Sequence, residues 1–213
     1  MHVGKLRLCY DSTIMATVII GLGNPGGEYA KTRHNAGRMI VETFAKQEGF
    51  DEFALRKSSN ASVAEGSIDG EKVILVIPEV YMNHSGKAAM PFVKSVKAAK
   101  KLLVIRDDLD MPLGQLKMTT YGRGSGGHKG VESIMRSLKT KEFVQLKVGI
   151  SGATAKGKLK KPAGEEKVIS HVIGKFKPAE EALLKKTLKK AAEASRIFAT
   201  EGIEAAMLFA NTK

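Results

Sequence analysis

Four segments of this chain carry side chains able to move a proton or grip a polar substrate. Residues 24–35 offer Asn24, Tyr29, Arg33, His34 and Asn35. "YMNHSG" (81–86) adds Tyr81, Asn83 and His84, and "VIRDDLDMP" (104–112) adds Asp107, Asp108 and Asp110. "GRGSGGHKG" (122–130) is a glycine-rich loop with Ser125, His128 and Lys129. A histidine is half-protonated near pH 6.5, so at neutral pH it can take a proton from water. A carboxylate beside it would select the tautomer and stabilise the imidazolium that forms. Asparagine amides both donate and accept, so they can bond peptide carbonyls and N–H groups without reading side chains. These ingredients suit hydrolysis of an ester or amide.

Competing chemistries fit less well. "GLGNPG" (21–26) matches G-x-G-x-x-G after an apolar run, the pattern of a dinucleotide site. That pattern requires a helix to begin at the glycines. Here Pro25 biases Asn24 toward extended backbone, and helical periodicity waits until about residue 36. Ser125 lies near His128, but no G-x-S-x-G elbow surrounds it, so it reads as a loop residue. His34, His84, His128 and His171 lie in separate segments without paired-ligand spacing, so no metal site is expected. His84 and His171 read as ordinary, partly exposed histidines. The pair His34-Asn35 at a helix start is also compatible with simple capping.

Those loops need a frame. Apolar runs at 18–22, 73–77, 102–105 and 143–150 read as strands. Residues 61–68 and 115–121 alternate and suit edge or half-buried strands, and Asp69-Gly70 signals a hairpin between two of these runs. Helical periodicity occurs at 36–48, 86–98, 128–138 and 179–201. Pro91 should kink the second of these or shift its start, and Ser85 could cap it. The last helix gathers Leu184, Leu188, Ala191, Ala192, Ser195 and Phe198 on one side, with Lys185, Lys186, Lys189 and Lys190 largely opposite. Alternating strands and helices without repeats predict one α/β domain over residues 15–213, a mixed sheet flanked by helices. Ligands of open α/β sheets sit at strand ends, where the four segments could converge.

Residues 1–14 lack a secretory apolar region and are short for a transit peptide, so they read as a disordered extension. Lys and Arg total 35 against 22 Asp and Glu, a net charge of +13. Such an excess favours a polyanionic partner, nucleic acid above all. A single cysteine, Cys9, permits no internal disulfide and fits a reducing compartment. No apolar run reaches the length of a membrane span, so a soluble cytoplasmic protein is expected.

Together the four blocks resemble the bacterial-type peptidyl-tRNA hydrolase family. "GLGNPGGEYAKTRHNAG" is similar to its opening signature, "YMNHSGKA" and "RDDLDMPLGQLK" to its second and third blocks, and "GSGGHKGVESI" to its fourth. Order and spacing agree from about residue 17 to 150; "HVIGKF" and "GIEAAMLFAN" fit more loosely. The resemblance implies a monomeric three-layer sandwich that cleaves the ester between a peptide and the 3′ end of its tRNA. It implies no metal or organic cofactor. His34 would be the general base on water and Asp107 its orienting carboxylate. Asn24 and Asn83 would hold the peptide backbone, with Asn24 helping to separate blocked from free aminoacyl ends. Tyr29 and Tyr81 would contact the substrate's terminus.

The tRNA half accounts for the excess of base. Lys117 and Lys147 match positions that are basic in the family, and Arg123 adds charge within the second glycine loop. The lysine-rich segment 153–167 is longer than the family's usual connection, leaving open a clamp on the acceptor stem or a solvated loop. Lys129 departs from the family's asparagine at that position; an ammonium cannot accept a proton from water, but it can meet an oxyanion or a phosphate. A non-enzymatic RNA-binding protein on the same fold would keep the basic face and could lose the base. This chain keeps Asn24, His34, Asn83 and Asp107.

Overall fold

The computed structural model describes residues 15–154 and 159–212. The expected extension 1–14 and residues 155–158 of the lysine-rich connection lie outside these limits.

Eight strands form one mixed sheet among the described residues. They are β1 (Thr17–Gly21), β2 (Ala54–Arg56), β3 (Ala61–Ile68), β4 (Glu71–Pro78), β5 (Leu102–Pro112), β6 (Leu116–Thr119), β7 (Val144–Ala153) and β8 (Leu159–Lys160). The order is β2-β3-β4-β1-β5-β7-β6, with β8 paired to the end of β7. The inner strands β4, β1, β5 and β7 run parallel, while β2, β3 and β6 are antiparallel to their neighbours. Those inner strands were the continuous apolar runs, because a parallel strand covered on both faces has no polar side. Asp69-Gly70 closes the β3–β4 hairpin, with Ile68 opposite Glu71.

Helices cover both faces. Along β5, Leu103 and Ile105 face one core and Leu102 and Val104 the other, following the strand's two-residue period. On the first face lie α1 (Ala36–Gln47), α6 (Glu181–Thr200) and α7 (Ile203–Asn211), contributing Ile40, Phe44, Ala191, Phe198, Ala206 and Ala210. On the second lie α2 (Ser85–Ala89) and α4 (Lys129–Leu138), with Ala88, Ala89, Val131 and Ile134. This is the expected three-layer arrangement.

Several elements differ from expectation. The helix read at 86–98 is two short pieces, α2 and α3 (Val96–Ala99), because Pro91 can neither donate to the preceding turn nor fit its ring there. Ser95 starts the second piece by accepting from the Ala98 N–H. Ser85 does not cap; its hydroxyl donates back to the Met82 carbonyl. The lysine-rich segment is not simply a loop, since it forms β8 and leads into a helix, α5 (Glu165–Ile173). At the far end α7 seals the sheet edge: the Asn211 amide accepts from the Met118 N–H and donates to its carbonyl, taking the place of a further strand.

Candidate active site

His34 lies in a one-turn 3-10 helix, Arg33–Asn35, just before α1. Its placement depends on how closely α1 approaches the sheet. A Cβ on Gly37 would lie 2.3 Å from the Ile105 carbonyl oxygen, and one on Gly21 would lie 2.4 Å from the Gly37 carbonyl oxygen. Only glycine allows that approach, which sets His34 beside the residues that follow Ile105. Gly21, first residue of the apparent dinucleotide motif, therefore serves helix–strand packing.

The strand β5 runs further than expected, through Asp107 and Asp108, and breaks register with β7 before Pro112. Asp107 is buried, and its Oδ1 accepts from two imidazoles: His34 Nδ1 at 2.8 Å and His128 Nε2 at 3.0 Å. The two rings stand 5.0 Å apart. His128 Nδ1 in turn accepts from the backbone N–H groups of Gly130 and Val131, at 3.2 and 3.4 Å. The proton of His128 therefore sits on Nε2, and its ring is neutral. His34 donates through Nδ1, which leaves Nε2 as a free lone pair with no partner among the described residues.

Electrostatics agree with this assignment. Burial pulls the His34 pKa down, but the charge of Asp107 and the hydrogen bond to it outweigh burial and hold it above the ordinary value. Burial lowers the His128 pKa, and although Asp107 opposes the shift, nearby His34 and Arg106 add to it, so the net displacement is downward. For Asp107, burial acts against the charged form, yet the two imidazoles and their hydrogen bonds hold the carboxyl far below the usual carboxylate range. Next along the strand, Arg106 donates to the Asp107 carbonyl at 2.9 Å and meets the Asp108 carboxylate at 3.2 Å.

The ligand-capable atoms of His34, Asp107 and His128 lie within 4.8 Å of one another, a grouping that sequence spacing does not show. A metal at His128 Nε2 would put the ring proton on Nδ1, where it would collide with two backbone N–H donors. The cluster fits a proton better than a cation.

A second polar group adjoins the first. Asn35 does not cap α1; its amide accepts from the Asn24 N–H and donates to the Asn24 carbonyl, bracing the loop in both directions. The Asn24 side-chain oxygen accepts from the Met82 N–H at 2.9 Å, so its NH₂ is left without a partner among the described residues. Asn83 is exposed in the adjoining 3-10 turn Met82–His84. Tyr29 and Tyr81 meet edge to face with centroids 6.4 Å apart. Met82 also links this group to His128, since a Cβ on Gly130 would lie 2.5 Å from Met82 Sδ and 3.3 Å from the His128 ring. His84 is exposed, whereas half-buried His171 points Nε2 at the Ile150 carbonyl oxygen.

A cleft of about 380 Å³ opens over the reactive cluster, lined by His34, Asp107, His128, Lys129, Leu109 and Ile169 among others. Two recesses of about 550 and 600 Å³ lie elsewhere, and neither contains a histidine–carboxylate contact. Lys129 is exposed at the cleft wall. The other predicted cations lie outside the cleft lining. Lys147 pairs with Asp108 at 3.3 Å, Lys117 stands opposite Lys147 across β6 and β7, and Arg123 is exposed. Sequence reasoning named His128 without giving it a role, and missed Arg106 and the α5 wall. The "GGH" block was a signal for the first; the other two had none.

Fold and site define an α/β protein whose carboxylate-bound histidine faces a strand-end cleft. The chain belongs to the peptidyl-tRNA hydrolase family: the family model described as Peptidyl-tRNA hydrolase matches residues 18–213. It is 40% identical over 192 residues to the peptidyl-tRNA hydrolase of Chloroflexus aggregans, covering 89% of this chain and 96% of that one. With the enzyme of Carboxydothermus hydrogenoformans the identity is 42% over 191 residues, covering 89% and 95%. The solved peptidyl-tRNA hydrolase of Acinetobacter baumannii is 33% identical, covers 95% of this chain and 98% of its own, and superposes with a TM-score of 0.82.

Proposed function

We propose that this chain performs its family's reaction, hydrolysis of the ester joining a peptide to the 3′ end of tRNA, with His34 as general base and Asp107 as its orienting carboxylate. The observation that carries this reading is the Asp107–His34 hydrogen bond through Nδ1, which leaves Nε2 free in the cleft. Nε2 takes a proton from water as the water oxygen attacks the ester carbonyl. The tetrahedral intermediate then expels the ribose oxygen, which takes that proton back from His34. His128, held neutral by two backbone donors, keeps Asp107 in place without competing for the proton. Asn24 donates its unpaired amide to a peptide carbonyl, and exposed Asn83, Tyr29 and Tyr81 contact the remainder of the blocked end.

Lys117, Lys147 and Arg123 form the basic approach to the acceptor stem, and Lys129 touches the substrate at the cleft wall. No cofactor enters this scheme. No helix among the described residues is long and apolar enough to cross a membrane. We assign the chain to the cytoplasm, in keeping with its lone cysteine, and as a monomer, as the family resemblance implies.

The test is incubation of purified protein with N-acetyl-aminoacyl-tRNA and assay of released N-acetyl amino acid. Release in the parent and its loss in His34→Ala support the reading. Binding of tRNA without release would identify an RNA-binding protein instead.

A further inference from the structure

Arg106 is only 3% exposed and directly precedes the carboxylate that holds both histidines. Its surroundings do not match its donors. Nη1 donates to the Asp107 carbonyl at 2.9 Å and meets the Asp108 carboxylate at 3.2 Å. Nε and Nη2 are buried with no hydrogen-bond partner among the described residues. Asp108 has a second cation in Lys147, at 3.3 Å. A guanidinium buried with donors unpaired is less favourable than an apolar side chain of similar volume, so stability does not account for this arginine.

The strand geometry shows what it does instead. Carbonyls along a strand point alternately to its two edges, so every second one faces the same neighbour. On β5 the Ile105 carbonyl accepts from the Leu22 N–H, just past the end of β1. The Asp107 carbonyl faces that same edge two residues on, where β1 no longer pairs, its last partners being Gly21 and Ile105. On the other edge β7 keeps register through Asp108 and then shifts before Pro112. Asp107 therefore stands where β5 has lost one neighbour and is about to slip against the other. A buried carbonyl there needs a donor, and Nη1 supplies the one the ended strand does not. Nη2 lies beneath the loop leading to His128, since a Cβ on Gly126 would sit 3.3 Å from it. One guanidinium thus backs both the Asp107 backbone and the loop carrying the second histidine.

We propose that Arg106 is a positioning residue for the hydrolysis: it holds the Asp107 carbonyl where β5 runs free of β1, and so fixes the direction of the Asp107 carboxylate toward His34 and His128. The inference rests on the hydrolase reading above. The carbonyl and the side chain of Asp107 branch from the same Cα. A peptide plane free to rock would therefore carry Oδ1 away from His34 Nδ1 at 2.8 Å and His128 Nε2 at 3.0 Å, and hydrogen bonds weaken steeply once misaligned. Almost wholly buried, Arg106 acts on the reaction through Asp107 and not by touching substrate.

The experiment compares the parent with Arg106→Met, which removes the donor, and with Arg106→Met/Asp108→Asn, which also neutralises the carboxylate left behind should the single variant fail to fold. With N-acetyl-aminoacyl-tRNA as substrate, kcat should fall about ten- to a hundredfold while KM stays within about twofold, as expected when a reacting group is displaced by up to an ångström. Nitrogen-edited NMR of the imidazoles, without substrate, should show the His34 and His128 N–H protons shifted and exchanging faster with water as their bonds to Asp107 loosen. Parent-like kcat in a folded variant overturns the proposal. So does a fall in kcat with both imidazole signals unmoved, the mark of a merely structural role, or a raised KM, the mark of a substrate contact. A parent that releases no N-acetyl amino acid would overturn the hydrolase reading instead, while the imidazole signals still test the Arg106 contact on their own.

Discussion

The reactive cluster and the basic rim handle charge in opposite ways. In the cluster Asp107 faces two imidazole N–H donors, and His128 is held from behind by the backbone, so that His34 Nε2 is left free to react. At the rim, Lys117 and Arg123 are exposed, and Lys117 faces another lysine across the sheet. Buried groups act at short range through hydrogen bonds of fixed geometry, so each has set partners and one task. Exposed cations act through a summed, salt-screened field in which members substitute for one another. Removal of one group from the cluster should change the chemistry, and removal of one from the rim should change only the approach.

The sharpest test of that contrast is His34→Ala, which should leave the fold intact and lower turnover by at least about 10²-fold, the scale of general-base catalysis. Circular dichroism checks the first statement and single-turnover hydrolysis the second; turnover within a few-fold of the parent would remove His34 from the mechanism.

Asp107→Asn comes next, with a rate loss of about 10²-fold or more and a displaced pH profile. The active form of His34 is neutral, so the parent's rate falls as pH drops through a His34 pKa held above its ordinary value. An amide removes the charge that raises this pKa and leaves burial, which lowers it. The acid limb of the surviving activity should move to lower pH, and an unmoved limb would count against the pairing.

At the rim the expected effects are smaller. Lys117→Ala should flatten the log–log dependence of tRNA affinity on salt by about one contact, roughly 0.7 to 0.9 in slope, with kcat unchanged. Lys147→Ala should flatten it less, because that ammonium is already shared with Asp108. Equal slopes for both variants would mean that Lys147 leaves Asp108 when tRNA binds. A salt-independent affinity in the parent would remove the basic rim from the account.

Lys129→Met should give the smallest effect, a several-fold change at most for one exposed cation. It separates the two regions because Lys129 is at the boundary between them. A lower kcat at constant KM would place the ammonium on the oxyanion and thus with the cluster, and a raised, less salt-dependent KM would place it on a phosphate and thus with the rim. Parent-like kinetics in both Lys129→Met and Lys129→Asn would show that it contacts neither.

Much of this molecule is legible before folding. The inner strands could be read because burial on both faces demands unbroken apolar runs, and α1, α4 and α6 because their apolar positions recur at helical spacing. His34, Asp107, Asn24 and Asn83 could be named from four blocks in order. The elements that escaped notice are short and carry little periodicity: β2 and β8 have three and two residues, and α5 and α7 nine each. Their existence depends on what they dock against.

By itself, then, the sequence determined the layered α/β class with its mixed sheet, the basic surface and the kinds of side chain available for chemistry. These are local or compositional properties, set by period, propensity and charge. Only the tertiary structure decided that His128, 94 positions beyond His34 by number, shares Asp107 with it. Only the fold decided that Asn35 braces Asn24 instead of capping a helix, and that Gly21 and Gly37 serve to bring α1 against the sheet. Such pairings follow from which backbones can approach within a few ångströms, and that depends on the packing of the whole sheet with its helices. No residue's neighbours in the chain carry that information.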